Sequence, residues 1–187
     1  MQKIKTPRQR LWTVEEYYRI AETGILDPSE RVELIEGKIM RMAAKSMAHV
    51  IAGRRSRDLL EARLGERVLV WTQDPICLDD YSEPEPDIAL IIPPLERYRY
   101  SHPTTSDIYL IIEIADTTIN NDCRDKSKIY ARSGVADYWV LDVVVRQLHV
   151  FREPTKDSYK KESIFSENEM VSLLAFPDVN LVVEEML

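Results

Sequence analysis

The segment Ile108-Tyr109-Leu110-Ile111-Ile112-Glu113-Ile114 constrains the fold more than any other part of the chain. Its apolar residues are consecutive rather than alternating, so an extended chain here is apolar on both faces. Such a strand is stable in the middle of a sheet whose two faces are both covered. It is far too short to cross a bilayer. Near its end stands one charge, Glu113, and a carboxylate is costly to bury unless it is paired or binds a cation. The run Asp87-Ile88-Ala89-Leu90-Ile91-Ile92 is built the same way: an apolar strand opened by an acid directly after Pro86. Two such acids on neighbouring strands would form a hard oxygen site suited to Mg²⁺, with Mn²⁺ as the alternative. Strand-end acids also cap helices or pair with arginine, so these two residues alone leave both readings open.

Around these strands the local signals are clear. Thr13 followed by Glu16 forms a capping box and predicts a helix from Val14 to about Glu22, ended at Gly24. Asp27-Pro28-Ser29 signals a turn. Residues 31 to 42 alternate on either side of Glu36-Gly37, which reads as a tight β-hairpin. Ser46 is the candidate cap of a long helix from Met47 to Leu64, closed by Gly65. Short strands are expected at Val68 to Trp71 and Ile76 to Leu78, and loops at Tyr81 to Pro86 and Pro93 to Thr105. A helix is expected from about Asn121 to Ser133, then strands at Tyr138 to Asp142 and Gln147 to Arg152. The remainder reads as short strands. This order predicts one α/β domain over residues 1–187, a mixed β-sheet flanked by helices.

Composition removes several classes of function. The 187 residues are 44% hydrophobic and 30% charged, with a net charge of −7. That is the balance of a folded chain, and it disfavours a non-specific nucleic-acid coat, whose affinity comes from Lys and Arg. Arg54, Arg55 and Arg57 are the densest basic group; as a helix face they would be either solvated or a DNA contact. Cys77 and Cys123 are far apart without metal-ligand spacing, so a reducing compartment is the natural reading. The basic segment Met1 to Arg10 is followed by no apolar signal core. A cytoplasmic protein without a membrane span is expected. No Ser/His/Asp or Cys/His arrangement suggests a covalent nucleophile.

Pro86-Asp87 followed by Glu113 at the end of an apolar strand resembles the PD-(D/E)XK nuclease superfamily. The resemblance sharpens along the chain through Val32-Glu33-Leu34-Ile35-Glu36-Gly37, His49, Pro86-Asp87, Glu113-Ile114, Asp122 with Lys126 and Tyr130, Gly134-Val135 and Tyr138-Trp139-Val140. This ordered set is similar to the Uma-two family of restriction endonucleases over about residues 12 to 152. The resemblance implies a restriction-endonuclease-like fold and a metal-dependent endonuclease acting on DNA, with Asp87, Glu113 and Lys126 as catalytic residues. Metal would be held by Asp87, Glu113 and the backbone carbonyl of Ile114. Glu33, His49, Asp122 and Tyr130 would support the site.

One position departs from the superfamily pattern. The lysine expected two residues after the strand acid is Ala115. In the resemblance, Lys126 on the following helix takes its place. Asp122, Lys126 and Tyr130, spaced by four, share a helix face; on spacing alone this would be an exposed Asp–Lys pair. If Lys126 substitutes for the strand lysine, its ammonium should lie beside Glu113, and Ala115→Lys should compensate for Lys126→Ala. Tyr138-Trp139 is expected to pack the core, with base stacking as the alternative. The rival reading is an inactive nuclease-fold protein that binds nucleic acid or a protein partner, favoured by the acidic charge and Ala115. A homodimer would let one site per chain cut two strands.

Overall fold

The computed structural model describes residues 8–27 and 29–187. Residues 1–7, which include most of the basic segment, and Pro28 of the turn signal lie outside the described residues. Helix α1 (Val14–Glu22) starts with the expected capping box, the Thr13 side chain accepting from the Glu16 amide and Glu16 accepting from the Thr13 amide. Strands β1 (Val32–Ile35) and β2 (Lys38–Arg41) form the hairpin. Its two-residue turn holds Glu36 at φ 48° and Gly37 at φ 72°, the geometry whose twist matches that of the strands. Glycine is required at 37 for a second reason: a Cβ there would stand 2.5 Å from Leu11 Cβ.

Helix α2 (Met47–Leu64) has the predicted limits, with the Ser46 side chain accepting from the His49 amide. It is followed by β3 (Leu69–Trp71), β4 (Ile88–Ile91) and the eight-residue β5 (Ile108–Ala115). After β5 the chain makes a π-helical turn, Asn121–Lys126, that runs into α3 (Ser127–Arg132). Strands β6 (Asp137–Asp142), β7 (Gln147–Pro154) and β8 (Tyr159–Ser166) complete a six-stranded sheet in sequential order. The β5–β6 pair is parallel, joined across α3, and the other pairs are antiparallel. The sheet is therefore mixed, as expected.

β5 lies third of the six strands, and Leu110 to Ala115 are all buried. Its alternate residues enter two different cores. Leu110, Ile112 and Ile114 join Trp139, Leu141 and the α2 residues Ala52, Leu60 and Leu64. Ile111 and Ala115 join Tyr130, Tyr138 and Val140. Tyr138 and Trp139 are fully buried on opposite faces, each filling a core as expected. Complete burial of one such apolar side chain contributes about 1.5–3 kcal/mol, so β5 and β6 supply a substantial share of the fold's driving force.

Two expectations are corrected. Ile76 to Leu78 forms no strand; Cys77 makes one isolated bridge to Thr104, because Pro75 and Pro84 to Pro86 leave too few amides for a ladder. The segment after Arg152 is not merely short strands. β8 is eight residues long, and β9 (Met170–Ser172), β10 (Asn180–Val182) and α4 (Val183–Met186) follow it. Val171, Leu173, Leu181, Val183 and Met186 close the first core from outside. In the basic group of α2, Arg55 donates to the Glu184 carbonyl at 3.1 Å, and Arg57, its side chain 45% exposed, pairs with Asp58 at 2.7 Å and lies 3.8 Å from Glu61.

Candidate active site

The open end of the sheet is a cleft of about 570 Å³ lined by Glu33, Lys45, His49, Asp87, Glu113, Asp122 and Lys126, among others. These residues arrive from several separate elements. Asp87 directly precedes β4, and Glu113 lies near the end of β5. Glu33 comes from β1, His49 from the first turn of α2, and Asp122 and Lys126 from the π-helical turn.

Glu113 is 4% exposed. Its Oε1 accepts from Lys126 Nζ at 2.9 Å and from the Tyr130 hydroxyl at 2.8 Å. Lys126 thus reaches the strand acid from 13 positions away in sequence. Its ammonium also lies 3.6 Å from Glu33 Oε1, while Glu33 Oε2 accepts from the Glu85 amide at 3.2 Å. The π-helical turn matters here. Its closing bond runs from the Ser127 amide to the Asp122 carbonyl, five residues back. The widened turn lets both Asp122 and Lys126 face the sheet, and π-turns of this kind recur at functional sites.

Asp87 is 8% exposed. Its Oδ1 is bonded to His49 Nε2 at 2.9 Å and lies 3.2 Å from Lys45 Nζ, and its Oδ2 accepts from the Ile114 amide at 3.0 Å. The Ile114 N–H thus anchors Asp87. Glu36 sits in the hairpin turn and pairs with Arg132 on the surface.

The electrostatics follow from burial and crowding. Burial pushes the Glu113 carboxyl up; Lys126 opposes this and favours the carboxylate, while Asp87, Asp122 and Glu33 add to the rise. Burial likewise raises Asp122. Burial would raise Asp87 too, but His49, the Ile114 amide and Lys45 together hold it below the usual carboxylate range. Burial works against the charge on Lys126, yet Glu113, Glu33 and Asp122 keep its pKa above the ordinary value. Burial, reinforced by Glu113, keeps the Tyr130 phenol protonated and hence a donor. Both thiols are raised by burial, Cys123 to about 12, so neither is a thiolate nucleophile at neutral pH.

Four carboxylates, Glu33, Asp87, Glu113 and Asp122, thus share the cleft with the ammonium groups of Lys45 and Lys126. The donors are hard oxygens and the acids outnumber the ammonium groups, which suits a divalent cation. Among the described residues no three His, Cys, Asp or Glu side chains are gathered tightly enough to enclose a metal.

All seven side chains singled out from the sequence converge here. Lys45 was missed. A signal existed: it stands just before the cap of α2, a helix with no acid in its first turn, and a cation at a helix N-terminus opposes the dipole. Such a residue needs a partner elsewhere, here Asp87.

No helix among the described residues is long and apolar enough to cross a membrane. A search of the curated proteins finds no match to this chain. Among solved structures, the chain is similar to "a putative nuclease belonging to DUF820" from Anabaena variabilis ATCC 29413. The two are 17% identical over 93% of this chain and 96% of that one, with a TM-score of 0.71; that likeness shows the fold. The family model Uma2, described as "Putative restriction endonuclease", matches residues 14–184. The chain belongs to the Uma2 (Uma-two) family.

Proposed function

We propose that this chain is a metal-dependent endonuclease that hydrolyses DNA phosphodiester bonds. The observation that carries the reading is the Lys126–Glu113 pair, 2.9 Å apart in the cleft that also holds Asp87. It returns an ammonium to the strand acid although the strand itself has Ala115. Asp87 and Glu113 would hold Mg²⁺, or Mn²⁺ in its place. Bound there, the ion would polarise the scissile phosphate and lower the pKa of a water.

The chain's own residues have distinct tasks. Lys126 orients the attacking water and offsets charge gathering on the phosphate oxygens. Tyr130 fixes the Glu113 carboxylate, and His49 with the Ile114 amide fixes Asp87, so that both acids are oriented before substrate arrives. Glu33 and Asp122 keep the Lys126 ammonium charged. Plasmid cleavage with Mg²⁺ or Mn²⁺ tests the reading, the wild type being compared with Asp87→Ala and Lys126→Ala. Cleavage unchanged in both variants would sink it. A homodimer would present two sites to the two strands, and a monomer by light scattering at micromolar concentration counts against that arrangement.

One observation favours a second reading, a nuclease-fold protein that only binds its partner. Both Asp87 oxygens are already engaged, by His49 and by the Ile114 amide. Calorimetry separates the two: DNA binding without measurable Mg²⁺ affinity would select the binding role.

A further inference from the structure

Lys45 is a half-buried residue with a buried ammonium that the reading above leaves without a task. Its side chain is 15% exposed, and its Nζ is buried with no hydrogen-bond partner among the described residues. The nearest charge is Asp87 Oδ1 at 3.2 Å, out of line for a hydrogen bond and already engaged by His49 at 2.9 Å. An ammonium has three N–H donors, and a buried donor left unfilled carries a desolvation cost. Acceptors for those donors must come from the cleft that Lys45 lines.

The surroundings indicate what kind of acceptor. Residues 42–45 form a wall shared by this cleft and a second cavity of about 400 Å³, whose charged lining is Arg31, Arg41, Lys45 and one acid, Glu30. Arg31 lies 3.8 Å from Glu85 and Arg41 pairs with Glu30, but their side chains are 43% and 74% exposed, and a guanidinium paired with one carboxylate keeps further N–H donors for a ligand. A small carboxylate would meet Lys45 alone. A chain of linked phosphates would meet Lys45 at the wall and the two arginines beyond it.

We propose that Lys45 is a phosphate-binding residue. It would hold a nucleic-acid strand where that strand leaves the acid cluster for the Arg31–Arg41 cavity. The inference rests on the nuclease reading for its substrate class, but its test does not depend on cleavage.

The experiment is fluorescence anisotropy of a fluorescein-labelled DNA duplex in EDTA, with the association constant followed over a salt series. One lost phosphate contact lowers the slope of log K against log salt by about 0.9, or about eightfold in affinity at about 0.1 M salt. Lys45→Met is expected to show that change. Lys45→Arg should retain the wild-type slope, and so should Arg57→Met, because Arg57 lies on the outer surface of α2. Lys45→Met/Asp87→Asn restores the local charge without restoring the contact, so its slope should stay reduced.

A wild-type slope in Lys45→Met overturns the proposal. So does recovery of the slope in the double variant, which would make Lys45 only a counter-charge to Asp87. Absence of duplex binding by the wild type overturns it as well. Should Lys45→Met fail to fold, Lys45→Gln carries the same comparison. The two readings fail separately. A wild type that binds duplex with the expected Lys45 slope but cleaves nothing refutes the nuclease. Loss of cleavage in Asp87→Ala with an unchanged slope in Lys45→Met refutes only the role of Lys45.

Discussion

Replacing Lys126 by Met removes the charge while keeping most of the volume, and the structure sets the size of the effect. The Nζ–Oε1 distance is 2.9 Å, with side chains 13% and 5% exposed. At an effective dielectric constant of about 20 the attraction is about 6 kcal/mol, before the desolvation that the pair also bears. Breaking one side of a buried pair costs about 3–5 kcal/mol when the other charge is stranded. Glu113 has an escape, because burial already favours its protonated form. At pH 7, proton uptake by a carboxyl whose unfolded value is 4.5 costs about 3.4 kcal/mol, at about 1.36 kcal/mol per unit. The variant should therefore lose about 3 kcal/mol at pH 7, and below about 1 kcal/mol at pH 5.

The sign of the pH dependence is fixed by proton count. In the variant the folded state holds a proton on Glu113 that the unfolded state releases above 4.5. Stability therefore falls as pH rises above 4.5, by about 1.4 kcal/mol per unit, until Glu113 releases its proton at a value that burial holds well above 4.5. In the wild type the ammonium favours the carboxylate and makes the slope shallower. Urea unfolding at pH 5, 6, 7 and 8 measures this directly. Adding Glu113→Gln to Lys126→Met should recover most of the loss at pH 7, since no charge is then stranded. Equal urea midpoints for Lys126→Met and wild type across this range would refute a buried ammonium–carboxylate pair.

Tyr130→Phe deletes only the 2.8 Å donor to Glu113; a loss of about 1.5–3 kcal/mol is expected by denaturant titration, with reduced cleavage. Arg152→Met should cost about 3–5 kcal/mol in thermal or urea unfolding, because Arg152 donates at 2.8 and 3.2 Å to Asp137, whose side chain is fully buried. Gly37→Ala should destabilise by about 1–3 kcal/mol, through the positive φ and the 2.5 Å approach to Leu11; an unchanged melting temperature would contradict the hairpin geometry. Ala115→Lys together with Lys126→Ala should not restore cleavage, contrary to the expectation from the superfamily pattern. Ala115 is fully buried in the second core, so a lysine there overpacks it by about 1–3 kcal/mol before it can serve Glu113. Cleavage recovered in a stable double variant would show that this core yields more than its packing implies.

The sequence by itself determined the features that arise within a few residues. The capping box at Thr13 and Glu16, the Ser46 cap and the Glu36-Gly37 turn each depend on contacts within three residues or on a backbone angle. Those elements begin and end where they were read. The central position of β5 was legible because both of its faces are apolar, and the two strand acids stood out because nothing nearby in sequence could offset their burial. Beyond the Lys126–Glu113 pair that the family resemblance implied, tertiary structure alone decided how those acids are offset. Lys126, Tyr130 and Glu33 converge around Glu113, and His49 and Lys45 on Asp87, across separations that no local periodicity encodes. The helix pattern after β5 gave the register of Asp122, Lys126 and Tyr130 but not the π-helical turn that aims the first two at the sheet. Ile76 to Leu78 carried a strand's composition without a strand's partners, and α4 is too short to leave a periodic signal. Capping and turn geometry are set by bonds the chain makes to itself nearby, whereas the charge balance of the cleft exists only once β1, α2, β4, β5 and the π-helical turn have packed together.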